Sequence, residues 1–267
     1  MTTLGSTEAI HAVLFGVGDD AARQQFTKHL GSQIAEFESV MSAVYGRWQN
    51  FEDQFARDED SATVVCSLFV VVARLLLSMK LLMLGHIALS GASKRQVLEA
   101  LAQAFLFSKR GLPYLKQARE GRFSSNKAIG IAVKRSAELS LNRDAVEVLA
   151  KARDFYSQFS HATVLAMTDV IGLDGNTSHL GASFDEAKLP FYLHEVTARV
   201  NLAKSLVNAI EGIARHMFRE RFGYEGRLQD LTFDPQHPTV EACAKVPPDL
   251  EKGPRKQFAL TSLKRIR

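Results

Sequence analysis

A heptad repeat of large apolar residues constrains the fold of this chain more than any other feature. Between residues 30 and 55 they recur at alternating spacings of four and three, at Leu30, Ile34, Phe37, Met41, Val44, Trp48, Phe51 and Phe55. A period of 3.5 residues places these side chains along one side of an α-helix. The pattern predicts a long helix over about residues 19–55, whose apolar seam packs against a partner helix in the same chain or in a second copy.

The next segment, residues 62–89, is apolar almost all round, which is typical of a helix buried at the centre of a bundle. Arg74 and Lys80 interrupt it. The uncharged run before Arg74 is about a dozen residues long, whereas ~18 to 20 residues are needed to cross the hydrocarbon core of a bilayer. We therefore expect no membrane span.

Four further helices are predicted, over residues 94–110, 125–140, 143–171 and 190–222. Ser93 and Gln96 form a capping box for the first of them, and Asn142 is a suitable N-cap for the third. No segment alternates convincingly with period 2, so no strand is predicted. These observations favour an all-α bundle of about six mostly antiparallel helices.

The domain organisation follows from these helices and from the distribution of charge. The chain has 33 basic and 29 acidic residues, a net charge of +4, and residues 245–267 alone contribute seven basic and two acidic side chains. The net positive charge of the chain is therefore confined to the tail. This distribution argues against a dedicated duplex-DNA binder and leaves RNA as a candidate partner of the tail. We predict a long heptad-patterned helix in residues 1–60, a core bundle in 61–225, and a proline-rich basic tail, largely disordered, in 226–267.

The cysteines and the N-terminal residues indicate the compartment. Cys66 and Cys243 are 177 positions apart, so neither a disulfide framework nor a CxxC metal site is available. No Lys or Arg precedes Arg23, which argues against a secretory signal. We expect a cytoplasmic protein that holds no metal and no cofactor.

Polar side chains interrupt the apolar stripe of the predicted helix 143–171. With 100° per residue, Tyr156 lies about 60° and Ser160 about 20° from Arg153, and His161 lies about 80° away. An inward arginine needs an acceptor, and Glu99 is the partner predicted for Arg153. The group is either a buried network that fixes helix register or the lining of a cleft. In the second case Glu99, Arg153, Tyr156 and Ser160 would bind a small anionic ligand.

The segment containing Arg95 and Glu99, followed by YSQFSH at residues 156–161, resembles uncharacterised all-helical bacterial domain families of unknown function. Those families are distantly similar to HEPN domains. The resemblance implies a dimerising helical bundle and a metal-free ribonuclease site formed by an arginine and a histidine close in sequence. Arg153 and His161 are the candidate catalytic pair, but seven residues separate them, more than that motif allows.

Two functions from different classes follow. The first is a non-catalytic or regulatory helical module that acts through protein contacts, which the resemblance suggests would serve in bacterial defence or stress response. It would self-associate, or bind a partner helix, through the seam of the first long helix. The alternative is a metal-independent endoribonuclease that uses Arg153 and His161. The sequence favours the non-enzymatic function.

Overall fold

The computed structural model describes residues 7–55, 59–160, 166–172 and 178–222, which form an all-α bundle and confirm the predicted fold class. The helices are α1 (Thr7–Leu14), α2 (Asp19–Phe55), α3 (Glu59–Leu82), α4 (Ile87–Ser108), α5 (Tyr114–Arg119), α6 (Ser125–Lys134), α7 (Arg143–Ser157) and α8 (Leu189–Phe222). Within these ranges the only extended pairing is a bridge between Ile171 and Ser178. The tail predicted over 226–267 lies outside the described residues.

Helix α2 has the predicted bounds, and its apolar seam is part of the core. The seam residues from Leu30 to Trp48 are at most 7% exposed, while the side chains of Phe51 and Phe55 lie outside the described residues. The seam packs against α8 and α3 of the same chain, and Trp48 Nε1 donates to the carbonyl of Val65 at 3.2 Å. The partner of the seam is thus intramolecular, and these buried side chains are not at the surface for a second copy.

The apolar segment 62–89 forms two helices rather than the one predicted, because the chain reverses after Leu82. Gly85 has φ +80° at this turn, a conformation that glycine adopts without strain. A Cβ atom at Gly85 would lie 2.0 Å from the carbonyl oxygen of Ser183. The turn therefore requires glycine for two reasons, backbone conformation and close packing.

The predicted capping box at Ser93 and Gln96 is wrong, because α4 begins at Ile87. Ser93 lies inside the helix, where its hydroxyl donates to the carbonyl of Arg74 on α3 at 3.0 Å. The start of α4 is capped instead by Asp169, whose Oδ1 accepts from the amide of Ala88 at 2.6 Å. A residue 81 positions away satisfies this helix end, which local sequence patterns do not reveal.

Helices α6 and α7 are shorter than predicted, whereas α8 has nearly the predicted bounds. Helix α6 ends at Lys134, and α7 ends at Ser157, where a 3-10 turn follows. The N-cap predicted for α7 is confirmed, because the side chain of Asn142 accepts from the amides of Asp144 and Ala145. The 3-10 turn packs Phe159 so closely on Gly91 of α4 that a Cβ there would meet the ring at 2.8 Å.

Among the described residues, α3 is the one helix long and apolar enough to span a bilayer by length and composition. Only 44% of its most apolar window is buried inside the bundle. Core helices of globular bundles pass the same test, so this property alone assigns no membrane. It does show that α3 keeps apolar side chains on its outer side as well as its inner side.

Replacing Gly85 with alanine should lower the free energy of unfolding by at least about 2 kcal/mol, through backbone strain and the clash with Ser183. Chemical denaturation followed by circular dichroism measures this. Gly130 on α6 is the control, because nothing lies within 4 Å of its Cβ position. Gly130→Ala should be neutral or stabilising by up to about 1 kcal/mol. Equal stability of Gly85→Ala and the unsubstituted protein would contradict this account of the turn.

Candidate functional site

Four ionisable side chains meet at the centre of the bundle, from three different helices. Lys94 lies on α4, Tyr156 on α7, and Glu195 and Arg199 on α8. Arg199 is 0% exposed, and none of the other three is more than 3% exposed. Charged groups are this deeply buried only when they are paired, so their contacts determine what the cluster does. We call these four side chains the central network.

Tyr156 links the two helices that flank it. Its hydroxyl accepts from Lys94 Nζ at 2.6 Å and donates to Glu195 Oε1 at 2.9 Å. Lys94 Nζ also lies 4.5 Å from the centroid of the Tyr156 ring, within the range of a cation–π contact. The Tyr156 hydroxyl group therefore bridges Lys94 and Glu195 through two hydrogen bonds.

Arg199 connects the network to the α3–α4 hairpin. Its Nη1 donates to Glu195 Oε2 at 2.6 Å, an i,i+4 pair on α8. Its Nε donates to the hydroxyl of Ser78 on α3 at 2.9 Å, and its Nη2 donates to the hydroxyl of Ser90 on α4. Each of these serines also donates to the other's carbonyl. The guanidinium thus bonds to three helices at once.

The electrostatics of the network favour the ionised carboxylate. Burial alone raises the pKa of Glu195, but the positive charges of Lys94 and Arg199 outweigh burial and lower that pKa to about 2. Burial lowers the pKa of the neighbouring His194, so its neutral form is favoured. The carboxylate of Glu195 is therefore ionised over the physiological pH range.

The structure separates the four predicted ligand-binding residues. Tyr156 points inward, as its position on the apolar stripe predicted, and joins the central network. Arg153 is partly exposed, and its Nη1 lies 3.2 Å from Asp154 Oδ1. The predicted pairing of Arg153 with Glu99 is wrong, because Glu99 Oε1 accepts from Arg95 Nε, one turn earlier on α4, at 2.9 Å.

Glu99 and Ser160 do lie together, at the edge of a different feature. Both line a cleft of about 510 Å³ between α3, α4 and the start of α6. Arg74 and Arg95 line the same cleft. His161, the predicted catalytic histidine, lies outside the described residues, so the pairing of Arg153 with His161 stays a prediction. Within the described ranges, no group of three or more His, Cys, Asp or Glu side chains could hold a metal ion.

Lys94, Glu195 and Arg199 were not predicted as site residues from the sequence. The signal for the last two is their i,i+4 spacing within α8, which is also the spacing of common surface ion pairs. Lys94 follows an apolar helix in the sequence and resembles an ordinary surface lysine. Nothing local distinguishes these residues from solvated charges, because their burial depends on how α4, α7 and α8 pack.

We expect Glu195→Gln to remove a pH-dependent contribution to stability. The pKa of Glu195 in the folded protein, about 2, lies below the ordinary glutamate value of 4.5. Its contribution is therefore complete above pH 4.5 and lost as the pH falls toward 2. At pH 7 the variant should unfold with a free energy about 3 kcal/mol lower, and the difference should shrink below pH 4.5.

Urea denaturation at a series of pH values measures this difference. Glu147→Gln is the matched control, since Glu147 forms an exposed i,i+4 pair with Arg143 at 2.9 Å. Exposed pairs contribute less than about 1 kcal/mol, so this control should change little at any pH. A Glu195→Gln difference that is the same at pH 7 and pH 3 would contradict the assigned ionisation.

Comparison with known proteins leaves the function to be argued from these residues. No family model, no curated protein and no solved structure matches this chain. The resemblance to HEPN-like helical families therefore remains a prediction from the sequence.

Proposed function

We propose that this protein is a non-catalytic, regulatory helical-bundle module that acts through protein contacts, and that its contact surface is the outer side of α3. The observation that carries the proposal is an apolar row on that side: Ala62, Cys66, Phe69, Ala73 and Leu76. We call this row the α3 face. Phe69 is 44% and Leu76 is 45% exposed, and Cys66 is also exposed. A continuous apolar row on a helix surface is typical of a protein interface.

The aromatic residues beside Phe69 extend this surface onto α2. The Phe69 ring lies 4.7 Å from the buried ring of Trp48, and Trp48 stacks on Tyr45 at 5.5 Å. Tyr45 is itself 41% exposed. Phe69 is thus supported from beneath by the core, and rigid aromatic side chains of this kind are favoured at interfaces.

The central network supports the non-catalytic part of the proposal. The pKa of Glu195 is strongly lowered, and yet Glu195 and its three partners are at most 3% exposed. They satisfy one another through short hydrogen bonds across α3, α4, α7 and α8. A reacting group must reach its substrate, so this cluster serves the stability of the bundle rather than chemistry.

A second copy of this chain is the partner that the α3 face fits. An antiparallel pairing of two α3 helices about a two-fold axis at Phe69 places residues opposite each other when their numbers sum to about 139. Leu76 then lies over the small Ala62, and Ala73 lies over Cys66. Lys80 at one end meets Glu59 at the other, whose side chain is 84% exposed and whose Oε1 lies 3.7 Å from Arg119 Nε in the same chain. The facing side chains of the two α3 helices are therefore complementary in size and in charge.

We expect Phe69→Glu to weaken the dimer about 100-fold or more, because two phenyl rings are lost and two carboxylates face each other at the axis. Sedimentation velocity over a concentration series measures the dissociation constant. Leu193→Glu on α8 is the control, since Leu193 is also an exposed apolar residue at 42%. The control should leave the dimer intact.

A charge exchange tests the register of the pairing. Lys80→Glu should weaken the dimer by about tenfold, since it places like charges opposite each other at both ends. Adding Glu59→Lys should restore most of the affinity. A monomer at all concentrations, or a dimer unaffected by Phe69→Glu, would refute the α3 face as the self-association surface.

Ribonuclease activity at Arg153 and His161 is the alternative function. Two observations favour it: Arg153 Nε is buried without a hydrogen-bond partner, and Ser160, which precedes His161 in the sequence, lines a cleft with two arginines.

Incubation of labelled RNA in excess EDTA with the protein and with its Arg153→Ala/His161→Ala variant decides between the non-catalytic module and the ribonuclease. Cleavage by the unsubstituted protein alone would overturn the non-catalytic proposal, whereas the non-catalytic module should leave the RNA intact.

A further inference from the structure

The cleft between α3, α4 and the start of α6 has features of a binding site that the proposed dimer does not use. Its volume of about 510 Å³ is in the range of small-molecule sites. On a helical wheel Arg74 lies about 140° from Phe69, so the cleft is on the other flank of α3 from the centre of the α3 face.

Arg95 is held in place by two neighbours. Its Nε donates to Glu99 Oε1 at 2.9 Å, and its Nη2 donates to Asn126 Oδ1 at 3.1 Å. Glu99 is 6% exposed, and Arg95 neutralises its charge. A guanidinium fixed in this way loses little conformational freedom when it binds an anion.

Arg74 supplies a positive charge that nothing in the cleft balances. Its side chain is exposed, and no described residue accepts a hydrogen bond from its guanidinium or forms an ion pair with it. The hydrogen bond from Ser93 Oγ to the Arg74 carbonyl, at 3.0 Å, places Arg74 level with the turn of α4 that carries Arg95. The lining thus holds two guanidinium groups and one carboxylate, a net charge of +1.

The remaining polar lining suits a ligand that carries hydroxyl groups. Gln96, Gln103 and Asn126 supply amide groups, and because Asn126 Oδ1 accepts from Arg95, its NH₂ group is the part of the side chain that can donate to a ligand. The first turn of α6, which begins at Ser125, carries no acidic residue and so adds no opposing charge. The described residues that line the cleft include no aromatic side chain, so a nucleobase would find no stacking surface there.

We infer that this cleft binds a small organic phosphate with several hydroxyl groups, whose phosphate lies between Arg74 and Arg95 and whose hydroxyls contact the amide side chains. Planar guanidinium groups recognise phosphate through paired hydrogen bonds. The volume admits a molecule of the size of a pentose phosphate.

Isothermal titration calorimetry of the full chain with ribose 5-phosphate, and with ribose, tests this inference. Ribose 5-phosphate should bind and ribose should not, because the negative phosphate group pairs with the positive charge of the cleft. Arg74→Gln should weaken binding about tenfold or more, since it removes a charged hydrogen-bond donor. Lys134→Gln is the control, because Lys134 is an exposed cation of α6 outside the cleft lining. This variant should bind ribose 5-phosphate as the unsubstituted protein does.

Thermal unfolding of the unliganded variants checks that Arg74→Gln folds, and Asn126→Ala provides a second variant that should weaken binding without removing a charge. Failure of ribose 5-phosphate to bind would overturn the inference, as would binding that Arg74→Gln leaves unchanged. Binding of a single-stranded RNA oligonucleotide without binding of ribose 5-phosphate would overturn it too, in favour of a polymer ligand. None of these results depends on whether the α3 face forms a dimer.

Discussion

The buried guanidinium of Arg199 is the constraint on which the packing of this bundle depends. It is 0% exposed and donates to Glu195 on its own helix, to Ser78 on α3 and to Ser90 on α4. A charged group remains in the core only when its hydrogen-bond donors are satisfied. The position of α8 is therefore favoured only where Arg199 can reach Ser78 and Ser90. Tyr156 then connects α7 to the same cluster. Arg199 and Glu195 together thus connect α3, α4, α7 and α8.

This arrangement lets one helix serve three environments. The inner side of α3 packs in the core, and Ser78 there accepts a hydrogen bond from Arg199. One outer flank carries Phe69 and Leu76, and the other carries Arg74 at the cleft. The central network holds α3 rigidly, and rigid elements position binding groups more accurately than loops do. Both proposed surfaces therefore depend on a cluster that neither of them contains.

Local patterns predicted much of the fold and little of the site. The heptad repeat predicted the bounds of α2, and Asn142 predicted the start of α7, because both signals depend on neighbouring residues alone. Hydropathy alone predicted one helix over residues 62–89, since the apolar run continues through Gly85 and the close approach of Ser183 is a tertiary contact. The predicted Arg153–Glu99 pair was wrong for the same kind of reason. Arg95 lies one turn away on the same helix and reaches Glu99 first.

The amino-acid sequence by itself determined that this chain is helical, because the spacing of its apolar residues has the period of a helix and a cap such as Asn142 acts within a few positions. It also determined that Tyr156 of α7 faces inward, since its angular position follows from the same period, whereas Arg153 on the same stripe is partly exposed. Only the tertiary structure decided that Lys94, Glu195 and Arg199 are core residues and that Arg74 lines a cleft. Burial of a charge is a property of several packed helices, and the period of one helix does not specify which neighbours it meets.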